Sequence, residues 1–222
     1  MTTTGGAIFL NNFPGLTISN TIITNNRAES AGGGIYCNNS DLEVINTVIV
    51  NNNAVQGGGI YIANSSPTFM NNTISNNTAV TGGGLCIAAD SSPAFTNTII
   101  WGNASFGIGD QAALMASTAN PVFSYCNVQS GVTGFAGTGV SEYGIALYLN
   151  SIDADPMYVN PAEGAGREFN GLIADWSLQS TSPCINAGVP GTGSDEAGMA
   201  DVAGQSRFSG IAIDIGDFEF QE

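Results

Sequence analysis

The sequence predicts an all-β fold, a right-handed parallel β-helix of about five to six coils with an irregular C-terminal cap. Three observations predict it: a tandem repeat of constant length, two short strand-like pieces in each repeat, and turn residues that recur at matching places. The repeat weighs most. GGGIYCNNSDLEVINTVIVNNNAVQ starts at Gly32, GGGIYIANSSPTFMNNTISNNTAVT at Gly57 and GGGLCIAADSSPAFTNTIIWGNASF at Gly82, so the starts lie 25 residues apart without insertion. An earlier copy begins GGAIFL at Gly5 and is two residues longer.

The first strand of each copy is Ile35-Tyr36-Cys37, matched by Ile60-Tyr61-Ile62 and Leu85-Cys86-Ile87. Strand alternation sends Ile35, Ile60 and Leu85 inward and Tyr36, Tyr61 and Cys86 outward. The second strand is the Asn-Thr-hydrophobic stretch around Ile22, Val48, Thr73 and Thr98. Turn residues such as Asn64-Ser65-Ser66-Pro67 lie between them, and no segment has sustained helical spacing. Such a repeat fits one turn of a solenoid, with successive turns paired as parallel strands about 4.8 Å apart. Equivalent residues then form ladders. Asn26, Asn52 and Asn77 align, as do Asn25, Asn51 and Asn76, and Asn at a bend tolerates positive φ and can bond to the same amide one coil away.

After residue 106 the pattern loosens. Pro121, Phe123 and Val128 align with Pro93, Phe95 and Ile99 if one residue slips, giving a fifth coil over 110–143 with a longer loop at 130–139. A partial sixth coil is expected at 144–149. The coils therefore occupy 1–149, and 150–222 reads as the segment that covers the last open rung. Trp176, Leu178, Ile185, Ile213, Ile215 and Phe218 are its expected apolar anchors.

Composition agrees with this reading. Only 9% of the 222 residues are charged against 43% apolar, and glycine, with 30 copies, fills the gap together with Asn, Ser and Thr. Lysine and histidine are absent, Arg27, Arg167 and Arg207 are the only cations, and the net charge is −15. A phosphate backbone would be repelled, which excludes nucleic acid as a partner. Four acids precede residue 109 and fourteen follow it, so the charge sits in the C-terminal half. No apolar run reaches 18 residues, so no membrane-inserted helix is expected. Cys37, Cys86, Cys126 and Cys184 are too widely spaced for a zinc site and read mostly as core thiols, with one late disulfide left open. Met1 leads straight into repeat sequence without a signal peptide, the pattern of a chain that begins inside a longer gene.

The repeats resemble those of polymorphic outer membrane proteins, whose marks GGA[ILV] and FxxN appear as Gly5-Gly6-Ala7-Ile8 and Phe69-Met70-Asn71-Asn72. IDADPMYV from Ile152, WSLQSTSPCINAG from Trp176 and DVAGQSRFSGIAIDIGDFE from Asp201 resemble the end of bacterial β-helix proteins of the choice-of-anchor class. The resemblance implies an extracellular or cell-surface location, with sorting or anchoring segments that follow the helix. Here the sequence stops at Glu222, before any such segment. It implies no particular reaction.

Several constellations compete for function. Lyases of this architecture use a Lys or Arg base, and with no Lys or His only the three arginines remain, of which Arg207 reads as a salt-bridge partner of Asp201 or Asp214. Glycoside hydrolysis needs two carboxyls about 5 to 9.5 Å apart. Asp153 with Asp155, and Asp110 with Glu142, are the candidate pairs. No cofactor is required, and Ca²⁺ is the one ion suggested, by Asp195, Glu196 and Asp201 in a Gly-rich loop, although solvated loop acids are the simpler account. Tyr36 and Tyr61 would stack on one outward face, a row able to dock a sugar ring or a protein strand. The expectation is a non-enzymatic surface module for adhesion, display or glycan binding, whose partner is a glycan or a surface protein. The alternatives are a carbohydrate-active β-helix enzyme and a structural module that associates end to end through an open first rung.

Overall fold

The computed structural model describes residues 4–140, 148–192 and 198–221. The chain winds as a parallel solenoid of three sheets. The first sheet stacks Ile8–Asn11, Ile35–Asn38, Ile60–Ala63, Leu85–Ile87, Ala112–Leu114 and Phe135–Ala136. The second stacks Leu16–Ser19, Leu42–Ile45, Thr68–Met70, Ala94–Thr96, Val122–Ser124 and Tyr148–Leu149. Ile22–Thr24, Val48–Val50, Thr73–Ser75, Ile99–Trp101 and Asn127–Val128 form the third. Each coil therefore has three strands where the sequence suggested two. The strand missed is the two- to four-residue piece that forms the second sheet, which in several coils follows directly on a proline turn.

Register is strict. Ile35 lies opposite Ile60, Ile60 opposite Leu85, and Leu85 opposite Ala112. In the second sheet Phe69, Phe95 and Phe123 align, and their rings stack inside the solenoid with centroids 4.7 and 4.9 Å apart. Phe135 continues the column, and Tyr148 meets it edge-on at 6.4 Å. The slip allowed after residue 106 falls elsewhere than expected: Val128 pairs with Ile100, not Ile99, and the row begun by Ile22, Val48 and Thr73 continues with Ile99, not Thr98. Likewise 130–139 is no simple loop. A 3₁₀ turn at Gly131–Gly134 leads into Phe135–Ala136, which already opens the sixth coil.

One polar row runs beside the apolar column. The Asn77 side-chain oxygen accepts the Asn52 backbone N–H and amide at 2.9 and 3.0 Å, and its amide donates to Ile49 O and Asn103 Oδ1 at 2.8 and 3.0 Å. Asn26–Asn52 and Asn77–Asn103 repeat the motif, and Gln111 continues it through a bond from Asn103. The neighbouring row, Asn25, Asn51 and Asn76, has φ of 58, 54 and 53°, the left-handed corner that Asn tolerates. Its amides do not bond along the row. They donate to carbonyls of Ala162, Gly164, Gly166, Arg167 and Phe169, all in the C-terminal segment. Glycine is obligatory in the triplets: Gly57 turns at φ 62°, and a Cβ on Gly58 would lie 2.3 Å from Thr78 O.

Those bonds correct the placement of residues 150–222. Among the described residues this segment runs along the side of the solenoid, over the outer face of the third sheet, and does not lie across its end. It reaches from Asn25 in the first coil to Asn127, whose amide donates to Ala154 O. The reason is in the third sheet itself, whose outward residues Val48, Val50 and Ile99 are apolar and need cover. Tyr158, Trp176, Leu178, Cys184 and Ile215 supply it in a second hydrophobic cluster, with Ile185 and Phe218 packed against it. An antiparallel pair, Tyr158–Asn160 with Asp175–Leu178, stiffens the segment.

Asn77→Ala removes four side-chain hydrogen bonds. The Asn52 amide and Asn103 Oδ1 keep Ile23 O and the Asn77 backbone N–H, so the Asn52 backbone N–H and Ile49 O bear the loss, at about 1–3 kcal/mol for each orphaned group. Urea unfolding should show a midpoint lowered by a total of at least 2 kcal/mol in stability, with an unchanged slope. An unchanged midpoint would mean that the row contributes nothing to holding the coils together.

Candidate functional site

The outward face of the first sheet carries the clearest candidate surface. Phe9, Tyr36 and Tyr61 are in register on three successive coils, with centroids 5.0 and 5.2 Å apart and ring planes within 9° and 3°. The sequence paired Tyr36 with Tyr61 and expected Cys86 as the next position. The third ring is instead Phe9, in the preceding coil, and it was legible as the residue after Ile8 in GGAIFL. Cys86 is fully buried. Stacking has a consequence for recognition. Rings this close cover each other's faces, so the strip offers ring edges, the phenol hydroxyls and the free side of Phe9, which is 53% exposed. Burial, then the neighbouring Cys86 thiol and Tyr36, raise the Tyr61 pKa, so its hydroxyl remains a donor at neutral pH.

A chain of amides flanks the rings. Asn11 and Asn38 lie two positions along from Phe9 and Tyr36 and share their face, whereas the third coil has Ala63 there and joins with Asn64, one position on. The Asn38 amide donates to Asn11 Oδ1 at 2.7 Å, and the Asn64 amide to Asn38 Oδ1 at 3.0 Å. Asn39 donates to Asn12 in the next row. Asn12, Asn39 and Asn64 turn the chain at φ of 56, 45 and 47°. Beyond them lies an open groove of about 400 Å³ lined by Asn12, Phe13, Asn39, Asp41, Asn64 and Asp90, among others. The surface thus joins ring edges, amides and a mildly acidic groove across three coils.

The other candidates sit in local backbone work. Asp110 Oδ1 accepts both the backbone N–H and the hydroxyl of Ser105, at 2.8 Å each. Asp153 accepts the Ser130 N–H from the coil above at 2.9 Å, and Asp155 accepts the N–H of its own neighbour Met157 at 2.9 Å. Asp153 and Asp155, one of the two candidate carboxyl pairs, each accept a separate backbone amide. Glu142, Asp195 and Glu196 lie outside the described residues. Asp201 is buried, and its two oxygens accept the N–H groups of Ala203, Gln205 and Glu219. This fixes a turn, which is a different role from the surface calcium ligand considered for it. Among the described residues no cluster of three or more His, Cys, Asp or Glu side chains is arranged to hold a metal.

Arg207 was expected to pair with Asp201 or Asp214. Its ion pair is with Glu219, Nε to Oε2 at 3.9 Å, both side chains fully buried. Glu219 is two residues from Asp217, and the acid-rich end GDFE carried the signal that a buried partner lay there.

The profile of a family described as right handed beta helix region matches residues 6–156, more than half of the sequence. The chain belongs to the right-handed β-helix family. A search of curated proteins found no match.

In this β-helix all four cysteines are free and buried. The late disulfide left open by the sequence is not formed: Cys184 accepts a hydrogen bond from the Asn127 amide, and Cys126 donates to backbone carbonyls. Burial pushes the thiols of Cys86 and Cys126 up to about 12 and that of Cys184 to about 11. Thiolate is the reactive form, so these groups are inert in the folded protein. Ellman's reagent at pH 8 should titrate none of the four in native protein within minutes, and all four after denaturation. Rapid labelling of one cysteine in the native state would show a local opening at that coil.

Proposed function

We propose that this β-helix is a non-enzymatic recognition module of an exported, cell-surface protein, and that it binds a neutral glycan along the outward face of its first sheet. The observation that carries the reading is the three-ring strip of Phe9, Tyr36 and Tyr61 beside the Asn11–Asn38–Asn64 amide row. Sugars present hydroxyls that pair with amides and phenols, and C–H surfaces that pack on ring edges and on the open side of Phe9. A coil repeat of about 4.8 Å is close to the length of one pyranose unit, so a linear glycan could meet equivalent groups on successive coils. Asp41 and Asp90 in the groove, on a chain of net charge −15, disfavour uronate or sulfated chains. Export and display are supported by the likeness to polymorphic outer membrane and choice-of-anchor proteins. Adhesion through a surface protein would use the same face.

Titration of the ¹⁵N-labelled domain with neutral and with acidic oligosaccharides tests the reading. The expected result is that neutral chains shift the amides of residues 9–12, 36–39 and 61–64, and acidic chains do not. Tyr36→Ala, which removes the central ring, should weaken binding by about tenfold or more, as for a central contact residue. Binding by none of the neutral chains, or equal binding by Tyr36→Ala, would sink the glycan reading.

A further inference from the structure

We propose that the C-terminal segment is a pH-controlled strap, docked on the third sheet while Asp217 and Glu219 carry protons and loosened when they ionise. The inference is independent of the glycan reading and concerns the third sheet, which the segment covers.

The strap buries four carboxyls, those of Asp201, Asp214, Asp217 and Glu219, around one guanidinium, that of Arg207. Two of the acids have both oxygens engaged, and Glu219 has one, its Oε2 accepting the Asp214 N–H at 3.1 Å. Asp201 accepts three backbone N–H groups, and the two oxygens of Asp214 accept those of Asn186 and Phe220 at 2.7 Å each. Asp217 is different: neither of its oxygens has a hydrogen-bond partner, and Glu219 Oε1 has none either. Arg207 makes up only part of the deficit: its Nη2 donates to Gly216 O and its Nε faces Glu219 Oε2 at 3.9 Å, beyond hydrogen-bond reach, while Nη1 has no hydrogen-bond partner. With every acid ionised, the site would hold four negative charges against one positive, out of reach of water. Such burial is costly, and a carboxyl escapes the cost by keeping its proton.

Geometry gives that proton a place. Gly216 rests on Ile99 and Thr73 of the third sheet, which puts Asp217 at the seam between strap and solenoid. The Thr73 hydroxyl lies close enough to act on Asp217, is itself buried, and has no partner of good geometry. A neutral Asp217 can donate O–H to Thr73 Oγ1, satisfying a buried group on each side of the seam. An ionised Asp217 accepts the Thr73 O–H instead, a contact that favours the charged form, but its second oxygen then stays buried without a donor and burial outweighs the contact. Burial foremost pushes Asp217 up to about 7, and burial and then Asp214 push Glu219 up to about 7. Among the described residues the other titratable groups facing the cluster are Tyr158 and Cys184, both raised by burial and neutral throughout, while the sheet contributes the uncharged Thr73.

The sign follows. Once undocked, both acids return toward the ordinary carboxylate value near 4. The docked form therefore binds more protons, its advantage is complete below about pH 4, and it declines as pH rises until about pH 7 is passed. Hydrogen exchange with mass spectrometry, corrected for intrinsic rates, reads this directly in peptides from 176–190 and 199–221. Between pH 6 and 8.5 strap opening should rise about tenfold for each of the two acids, while peptides of the first sheet keep their protection. Asp217→Asn and Glu219→Gln, which cannot ionise, should each remove about tenfold of that response. Equal strap protection in wild type at both pH values overturns the proposal, as does a full response retained in the double variant. Should Asp217→Asn not fold, the wild-type comparison and Glu219→Gln decide alone.

Discussion

Parallel stacking at one fixed spacing is the constraint on which the rest of this structure depends. Each coil places its residues directly over those of the coil before, so every side chain has a near-copy of itself about 4.8 Å away. Only some residue types tolerate that. Phe69, Phe95 and Phe123 gain from it by stacking, and Asn52, Asn77 and Asn103 gain because an amide is both donor and acceptor. A charged residue does not, since two like charges at that distance repel by about 1 kcal/mol even in water. The charge content of 9% and the single acid pair in the repeated coils at 41–43 follow from this geometry.

The same constraint separates the two halves of the chain. Repeated coils bury like on like, whereas the segment beyond residue 152 has no copy of itself to stack on and is free to carry acids. It must instead match a surface that already exists. That surface is the third sheet, apolar at Val48, Val50 and Ile99 and bordered by the corner amides of Asn25, Asn51 and Asn76. The corner row shows how one residue type serves two ends. Positive φ at each Asn turns the coil, and the amide freed by that turn points outward to hold the strap's backbone.

How much was legible follows from how much repeats. Gly32, Gly57 and Gly82, with Ile35, Ile60 and Leu85 behind them, made the coil length and the inward face plain. The second strand was hidden because Thr68–Met70 and Ala94–Thr96 are three residues long and begin next to proline turns. The side-on course of the strap was not readable at all. Trp176, Leu178 and Ile215 announced an apolar contact, yet an apolar contact suits the end of a solenoid as well as its side. The deciding partners, Val48 and Ile99, are neighbours in space only. The tyrosine pair was visible for the opposite reason, since the repeat itself puts Tyr36 beneath Tyr61.

The aromatic strip shows what a ladder costs a binding surface. Face-to-face stacking of Phe9, Tyr36 and Tyr61 rigidifies the rings and spends the faces that a sugar would otherwise cover. What remains is a straight edge, preorganised by its own stacking and repeated in step with the coils. Rings occupy the position on three coils only, and the amide beside them shifts by one residue at the third, so a ligand would meet similar but not identical groups from coil to coil. On the glycan proposal such a face would discriminate by period: a ligand gains a contact per coil only if its own repeat keeps pace with the solenoid over the three coils that carry rings. If this face binds a glycan as proposed, recognition is a property of chain length and linkage geometry before it is one of monosaccharide identity.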